Sequence, residues 1–255
     1  IDQLRAEGYK AFYVAIGCKG GKKPNVVGSD AEGVTTAVDF LKVANCGGYA
    51  VAGKTIVVGG GNVAIDAARV SVRSGAKEVA MYCLETRDIM PASNEEIAEA
   101  QEDGVAINCG WGPKEVVVEN GKAVAVVFKK CLSVFDENNK FNPVYDEKET
   151  QTVSCDNIIF AVGQTTVWGD LLKGSKVEFG RGNRPVADTL TYQTAEEDIF
   201  VGGDVFTGPK FAIDAIAQGH EAAESLHRYV QHGHMTIGRN RRQFIQIDTD
   251  DIKVE

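Results

Sequence analysis

The stretch "KTIVVGGGNVAIDAARVSVRSGAKEVAMYCLE", residues 54–85, limits the fold more than any other part of the 255-residue chain. It opens on a continuous apolar run, Lys54 to Gly60, as a strand reads when both faces of a parallel sheet are covered. "NVAIDAARVSVRSGA" follows with helical spacing of its apolar residues and closes at Gly75. "EVAMYCLE" is a second buried strand. Together they form a β–α–β unit of about 30 residues, which obliges two parallel strands to lie in one sheet with a helix across them.

The turn inside this unit carries Gly59-x-Gly61-x-x-Ala64. Gly59 permits the tight bend, Gly61 leaves the backbone open to a pyrophosphate, and Ala64 lets the helix approach the strand. The amides from Gly60 through Asn62 and Val63 then face the phosphates, helped by the partial positive charge of the helix start. The alternative is a glycine turn that serves packing only. After a strand and opening a helix, the motif reads as a dinucleotide site. The formal net charge of -9 gives an anionic cofactor no general attraction, so this local backbone feature has to supply it.

The choice of dinucleotide rests on the end of the second strand. A carboxylate there accepts hydrogen bonds from the ribose hydroxyls and repels a 2′-phosphate, and an arginine does the reverse. Glu85 occupies that place and favours NAD; Arg87, two residues on, is the residue that would turn toward the phosphate of NADP. Glu85 as a plain solvated strand-end charge stays open.

Around this unit the chain reads as further strands and helices. "AFYVAIG" is a short strand stopped by Gly17, and "GVTTAVDFLKVAN" is a helix. "MPASNEEIAEAQEDG" begins with Pro91 and a capping box of Ser93 with Glu96. "AINCG" is a third strand. "KEVVVENGKAVAVVFKKCLSVF" is two strands around Asn120-Gly121, a strong hairpin signal. "TQTVSCDNIIFAVGQ" returns to a strand that ends at Gly163, "EEDIFVGGD" is a last strand, and "KFAIDAIAQGHEAAESLHRYVQH" is a long helix. The tail "FIQIDTDDIKVE" alternates without a nameable partner. The first residue is Ile1, and the numbering is expected to start inside a longer protein.

Other chemistries lose to plainer readings. None of the six cysteines forms Cys-x-x-Cys, which argues against a redox dithiol, a zinc ribbon or an iron–sulfur cluster in this chain and fits a reduced, cytoplasmic setting. "HEAAE" lacks the second histidine of a zinc helix, so His220, His227, His232 and His234 are not read as ligands. Asp66 reads as a polar helix position and "NEE" at 94–96 as a helix start, and Trp111 and Trp168 as either core or surface. The acidic surface disfavours nucleic acid and anionic membranes, and Arg239, Arg241 and Arg242 read as a solvated linker. No apolar run nears the ~18 residues that cross a bilayer.

The order "GGGNVAIDAAR", "MPAS", "AVGQ", "GGD…G…FAIDAIAQGHEAA" resembles the glutamate synthase small subunit and its relatives, FAD-dependent reductases with two dinucleotide-binding domains. The resemblance implies a split FAD domain: residues 1–35 as the end of its first segment, 36–160 as the inserted NAD(P)-binding domain, and 161–255 as the returning FAD segment and tail. It implies Ala-x-Gly crossovers at Ala15 to Gly17 and Ala161 to Gly163. It likens Asp204, after Gly203, to the aspartate on the FAD ribityl chain, with a strand-end cap as the alternative. The helix start at Phe211, Ala212 and Ile213 resembles the one aimed at the flavin's N1–C2 carbonyl. Two departures stand out. No early G-x-G-x-x-G for the FAD adenosine half exists in this sequence, and Leu84-Glu85 stand where many NADPH-using relatives carry paired arginines.

The expected fold is therefore α/β: a Rossmann-like, FAD/NAD(P)-binding three-layer domain with an antiparallel β-meander, plus a partial second dinucleotide-binding domain. The expected function is a piece of an NAD(P)H-dependent flavin oxidoreductase that passes hydride between nicotinamide and FAD, with electrons going on to an iron–sulfur domain or subunit. No catalytic residue is expected, because positioning carries that chemistry. This chain alone is expected to be inactive, and a nucleotide-binding or partner-docking module is the alternative.

Overall fold

The computed structural model describes residues 1–47 and 50–239. The chain runs through α1 (Asp2–Ala6), β1 (Phe12–Val14), β2 (Gly20–Gly21), β3 (Val34–Thr36), α2 (Ala37–Asn45), β4 (Lys54–Val58), α3 (Asn62–Arg73), β5 (Glu78–Cys83), α4 (Asn94–Glu102) and β6 (Ala106–Cys109). It continues through β7 (Trp111–Glu119), β8 (Lys122–Phe135), β9 (Phe141–Ser154), β10 (Asn157–Phe160), β11 (Gln164–Thr165), β12 (Ile199–Val201), α5 (Asp204–Thr207) and α6 (Ala212–Val230). Two compact units result. One is residues 19–165; the other joins residues 1–18 to the described residues from 166 onward.

The 19–165 unit is built on a parallel sheet ordered β3-β10-β4-β5-β6. Its strands are apolar on both faces because both faces are covered. Val57, Met81 and Ile159 pack with Ala64, Ala68 and Ile97 on the helix side. Their neighbours Ile56, Val58, Tyr82 and Phe160 pack with Val126 and Phe128 on the other. That second cover is the antiparallel meander β7-β8-β9, joined to the sheet by the stacked rings of Tyr82 and Phe128, 4.1 Å between centroids. The layers are helices, parallel sheet and meander.

The Asn120-Gly121 hairpin forms with φ of 51° and 82°, the two positive values that a two-residue turn of this hand requires. The meander has one strand more than the sequence pattern declares. β9 begins at Phe141, in "FNPVYDEKET", an exposed edge strand whose charged residues break the alternation that would mark it.

In the other unit β1 pairs in parallel with β12, and Val14, Leu172, Ile199, Val201 and Val205 form a small core. Arg5 is fastened there by Asp198 through two 2.7 Å bonds and by Glu196 at 3.2 Å. The units divide after Cys18 and after Thr165 rather than near residues 35 and 160. Residues 19–35 stay with the 19–165 unit because β2 pairs with β11, Val27 bridges Glu115, and β3 pairs with β10.

Arg239 departs from the expected solvated linker. Its side chain is 2 % exposed, and it donates to the Glu221 carboxylate at 2.9 Å and to Ser225. Arg241, Arg242 and the alternating tail lie outside the described residues. Cys83, Cys131 and Cys155 are buried, Cys18 and Cys109 are partly buried, and Cys46 is exposed. Among the described residues no helix is long and apolar enough to cross a membrane.

Candidate functional site

The glycine turn sits between β4 and α3. Gly59 has φ +148°, and a Cβ there would fall 2.5 Å from the Ala161 carbonyl oxygen, so this position needs glycine twice over. Gly61 is different: its backbone is relaxed, it is the N-cap of α3, and nothing lies within 4 Å of where its Cβ would be. No side chain caps α3. The Gly61 carbonyl takes the Ala64 amide at 2.9 Å and the Ile65 amide at 3.2 Å, which leaves the amides of Asn62 and Val63 to an outside acceptor. The Asn62 side chain does not compete for that place, because its Oδ1 accepts from the Ser93 amide at 3.2 Å. Ala64 is fully buried against the sheet, as close helix–strand packing requires.

Glu85 lies just past β5 and is half-buried. Its carbonyl accepts from the Gly110 amide at 2.9 Å, which anchors the strand end. Its carboxylate turns back over the glycine turn, toward Gly60. Arg87 turns away: it is exposed in a short 3-10 turn, and its Nη1 donates to Asn94 Oδ1 at 3.2 Å. The structure therefore brings Gly59, Gly60, Gly61 and Glu85 around one cavity; Asn62 and Val63, which follow Gly61 as the first residues of α3, and Arg87 are off its lining. Gly163, φ +114°, accepts the Lys22 amide at 3.0 Å; the cavity is lined by its neighbours Ala161 and Val162.

This cavity has a volume of about 570 Å³. Four of its walls are side chains that sequence reasoning missed or left undecided: Lys22, Trp111, Lys129 and Tyr145. Trp111 is held under the Lys130 ammonium, 4.8 Å from its ring. Of these, only Lys129 falls in the period-two pattern read from the sequence, and that pattern gives no clue that one edge of the meander meets the end of β5. Trp168, in the other unit, is a packing residue, its indole N–H donating to Asn183 and its ring edge-on to Phe179.

A second cavity of about 370 Å³ lies in the unit that contains α6. Tyr13, Gly17, Gly203, Asp204, Phe211 and Ala212 line it. Gly203 has φ +67° and donates its amide to the buried Gln218 Oε1 at 2.8 Å. Asp204 accepts the Lys210 amide at 3.2 Å, so it fixes the following turn while facing the cavity. α6 starts at Phe211 without a side-chain cap, and Phe211 and Ile213 are 74 % and 69 % exposed. Ile213 is not on the cavity lining.

The capping box at α4 is half-made. Ser93 accepts the Glu96 amide at 3.2 Å, but Glu96 Oε2 is buried without a hydrogen-bond partner. Burial, with Asp66 and Glu99 nearby, pushes the Glu96 carboxyl above its ordinary range. Among the described residues no group of three or more His, Cys, Asp or Glu side chains is placed to hold a metal.

Residues 4–219 match the family described as pyridine nucleotide-disulphide oxidoreductase. The chain is 32% identical over 239 residues to the NADP(+)-dependent formate dehydrogenase subunit beta of Moorella thermoacetica, covering 91% of this chain and 33% of that protein. It is 29% identical to the NADPH glutamate synthase small chain of Halomonas elongata, covering 90% and 52%. It is 33% identical to the NAD-dependent dihydropyrimidine dehydrogenase subunit PreT of Escherichia coli O157:H7, covering 91% and 50%. The chain thus spans a third to about a half of the length of these relatives. Among solved structures it is similar to Mycobacterium tuberculosis FprA in complex with NADPH, with a TM-score of 0.73 at 14% identity over 91% of this chain and 66% of that one, a likeness of fold. The glycine turn, the three layers and the match over residues 4–219 agree: the chain belongs to the pyridine nucleotide-disulphide oxidoreductase family.

Proposed function

We propose that the chain is the nicotinamide-binding part, with the completing FAD segment, of an NAD(P)H-dependent flavin oxidoreductase that prefers NAD. One observation carries the reading: the uncapped start of α3 behind Gly61, with the Glu85 carboxylate beside it. Open amides at a helix start suit a pyrophosphate, and a carboxylate at the end of the next strand suits ribose hydroxyls and opposes a 2′-phosphate. The relatives' names include both NAD and NADP or NADPH, so the choice in this chain falls to its own residues.

The residues around the smaller cavity fit part of a flavin site. Its lining includes Asp204, whose second oxygen is available to a hydroxyl, and the first residues of the uncapped α6, a long helix whose positive end favours a partial negative charge. When bound, FAD supplies the acceptor for the hydride that leaves nicotinamide C4. The chain's own part is to bind and orient. The α3 amides would grip the pyrophosphate, Glu85 would hold the ribose, and the meander wall would shield one side from water. We place the electron outlet on iron–sulfur centres of another domain or subunit, on the strength of the glutamate synthase resemblance. The six free cysteines favour a reduced compartment such as the cytoplasm.

The purified chain is expected to be colourless, because its sequence has no second glycine-rich turn for the FAD pyrophosphate. NADH at about 100 times its dissociation constant should stabilise the chain by ~2.7 kcal/mol in a thermal melt, and NADPH by less. Absence of stabilisation by either coenzyme, or a preference for NADPH, would overturn the reading. A yellow protein bleached by NADH would show that the chain itself holds flavin.

A further inference from the structure

We propose that Lys129, held between Glu147 and the ring of Tyr145, is a second determinant of which nicotinamide coenzyme the larger cavity takes, acting against Glu85. The inference rests on the reading that this cavity binds the coenzyme.

Leu84, Glu85, Tyr145 and Lys129 line one cavity. A Cβ on Gly112 would fall 2.5 Å from Tyr145 Cε1 and 2.8 Å from Leu84 Cδ2, so the glycine is what lets Tyr145 come up beside Leu84, the neighbour of Glu85. Lys129 Nζ lies 4.1 Å from the centre of the Tyr145 ring, and its side chain is 20 % exposed. Both residues line the cavity with Glu85. An ammonium at this wall would favour the extra phosphate that Glu85 disfavours.

Glu147 restrains it. Its Oε1 accepts from Lys129 Nζ at 2.6 Å. The position of Glu147 is a product of an irregular register: Lys130 faces Asp146 while Lys129 faces Thr150, so residues 147–149 are extra in β9. Asp146 accepts the Lys148 amide at 2.9 Å and fixes this bulge. Bulges re-aim side chains, and this one sends a carboxylate to the lysine on the neighbouring strand. Glu147 is itself half-exposed and 3.9 Å from Lys114, so it can be neutralised without opening the core. With Lys129 engaged, Glu85 governs and NAD is preferred. With Lys129 released, the balance moves toward the 2′-phosphate.

Calorimetric titration of NADH and NADPH into the chain and its variants tests this. Glu147→Gln should tighten NADPH by about fivefold, the scale of one exposed charge pair, while NADH stays within about twofold. The gain should vanish in Glu147→Gln/Lys129→Met and shrink as salt is raised. A melting temperature equal to that of the unmodified chain shows that the variants are folded. An unchanged NADPH-to-NADH ratio in Glu147→Gln, with both coenzymes still binding, overturns this proposal alone. Failure of both coenzymes to bind the unmodified chain overturns the coenzyme reading and this proposal with it.

Discussion

The Glu85 carboxylate oxygen Oε2 stands 2.7 Å from the point where a Cβ on Gly60 would begin, and Cys83 Cβ stands 3.1 Å from the same point. The strand-end acid and the glycine turn are therefore in contact, and the turn has room for the acid only because Gly60 has no side chain. Gly60→Ala should push the flexible Glu85 side chain aside and press on the buried Cys83 Cβ, lowering the melting temperature modestly without unfolding the chain. NADH affinity should fall about tenfold, or ~1.4 kcal/mol. Isothermal titration beside a thermal melt reads both quantities, and unchanged NADH binding would show that Glu85 has no part in the site.

Removing the acid itself separates the two coenzymes. Glu85→Ala takes away an acceptor for ribose hydroxyls, a charged hydrogen bond worth ~1.5–3 kcal/mol, and so should weaken NADH. NADPH loses the same acceptor but also a repulsion, so it should weaken less or tighten. Competition binding of the two coenzymes to the variant gives the ratio directly. A parallel loss for both would mean that Glu85 does not discriminate.

Gly59 and Gly61 should respond in opposite ways to the same substitution. At Gly59 the positive φ and the Ala161 carbonyl both oppose a Cβ, and Gly59→Ala should destabilise the chain by at least the ~1–3 kcal/mol of backbone strain. At Gly61 the space is open and the backbone is ordinary, so Gly61→Ala should fold with an unchanged melting temperature. Its methyl group would stand where the pyrophosphate must come, and NADH binding should drop by about tenfold or more, at least ~1.4 kcal/mol. Full NADH affinity in Gly61→Ala would remove the phosphate from this turn.

Much of this was legible in the sequence, and the physical reason is local. Gly59, Gly61 and Ala64 announce themselves because the bend, the open backbone and the close helix each demand a particular small residue at fixed spacing. Asn120-Gly121 announces its hairpin because few residues accept two positive φ values in succession. Tyr145, Lys129 and Glu147 were not legible, since their meeting depends on a register irregularity inside a meander and on which edge of that layer overhangs β5. Arg239 misled for the opposite reason. A basic run reads as solvated, but its fate was set by Glu221, 18 residues earlier along the chain.

α4 and its C-cap residue Asp103 carry two carboxylates, Glu96 and Asp103, whose environments predict opposite pH responses. The Asp103 carboxylate accepts from Arg69 Nε at 2.8 Å and Arg73 Nη2 at 3.2 Å, and the Arg69 bond, the leading cause, holds its carboxyl below the ordinary range. A depressed acid adds stability above its unfolded value, near pH 4, and that contribution is lost as pH falls through the folded value below it. Glu96 is raised, first by burial and then by Asp66 and Glu99. A raised acid costs nothing below pH 4 or so, and its penalty grows between the unfolded value and the higher folded one, then stays at neutral pH. Asp103→Asn should therefore lower the melting temperature at pH 7, with the deficit closing toward pH 3. Glu96→Gln should raise it at pH 7, with the gain gone by about pH 4. Melts of the two variants across pH 3–8 put the signs side by side. Because Glu96 and its neighbour seven residues on, the C-cap Asp103, belong to one short helical segment, two shifts of the same sign would mean that the Arg69 bonds and the buried Glu96 oxygen do not govern these groups in solution.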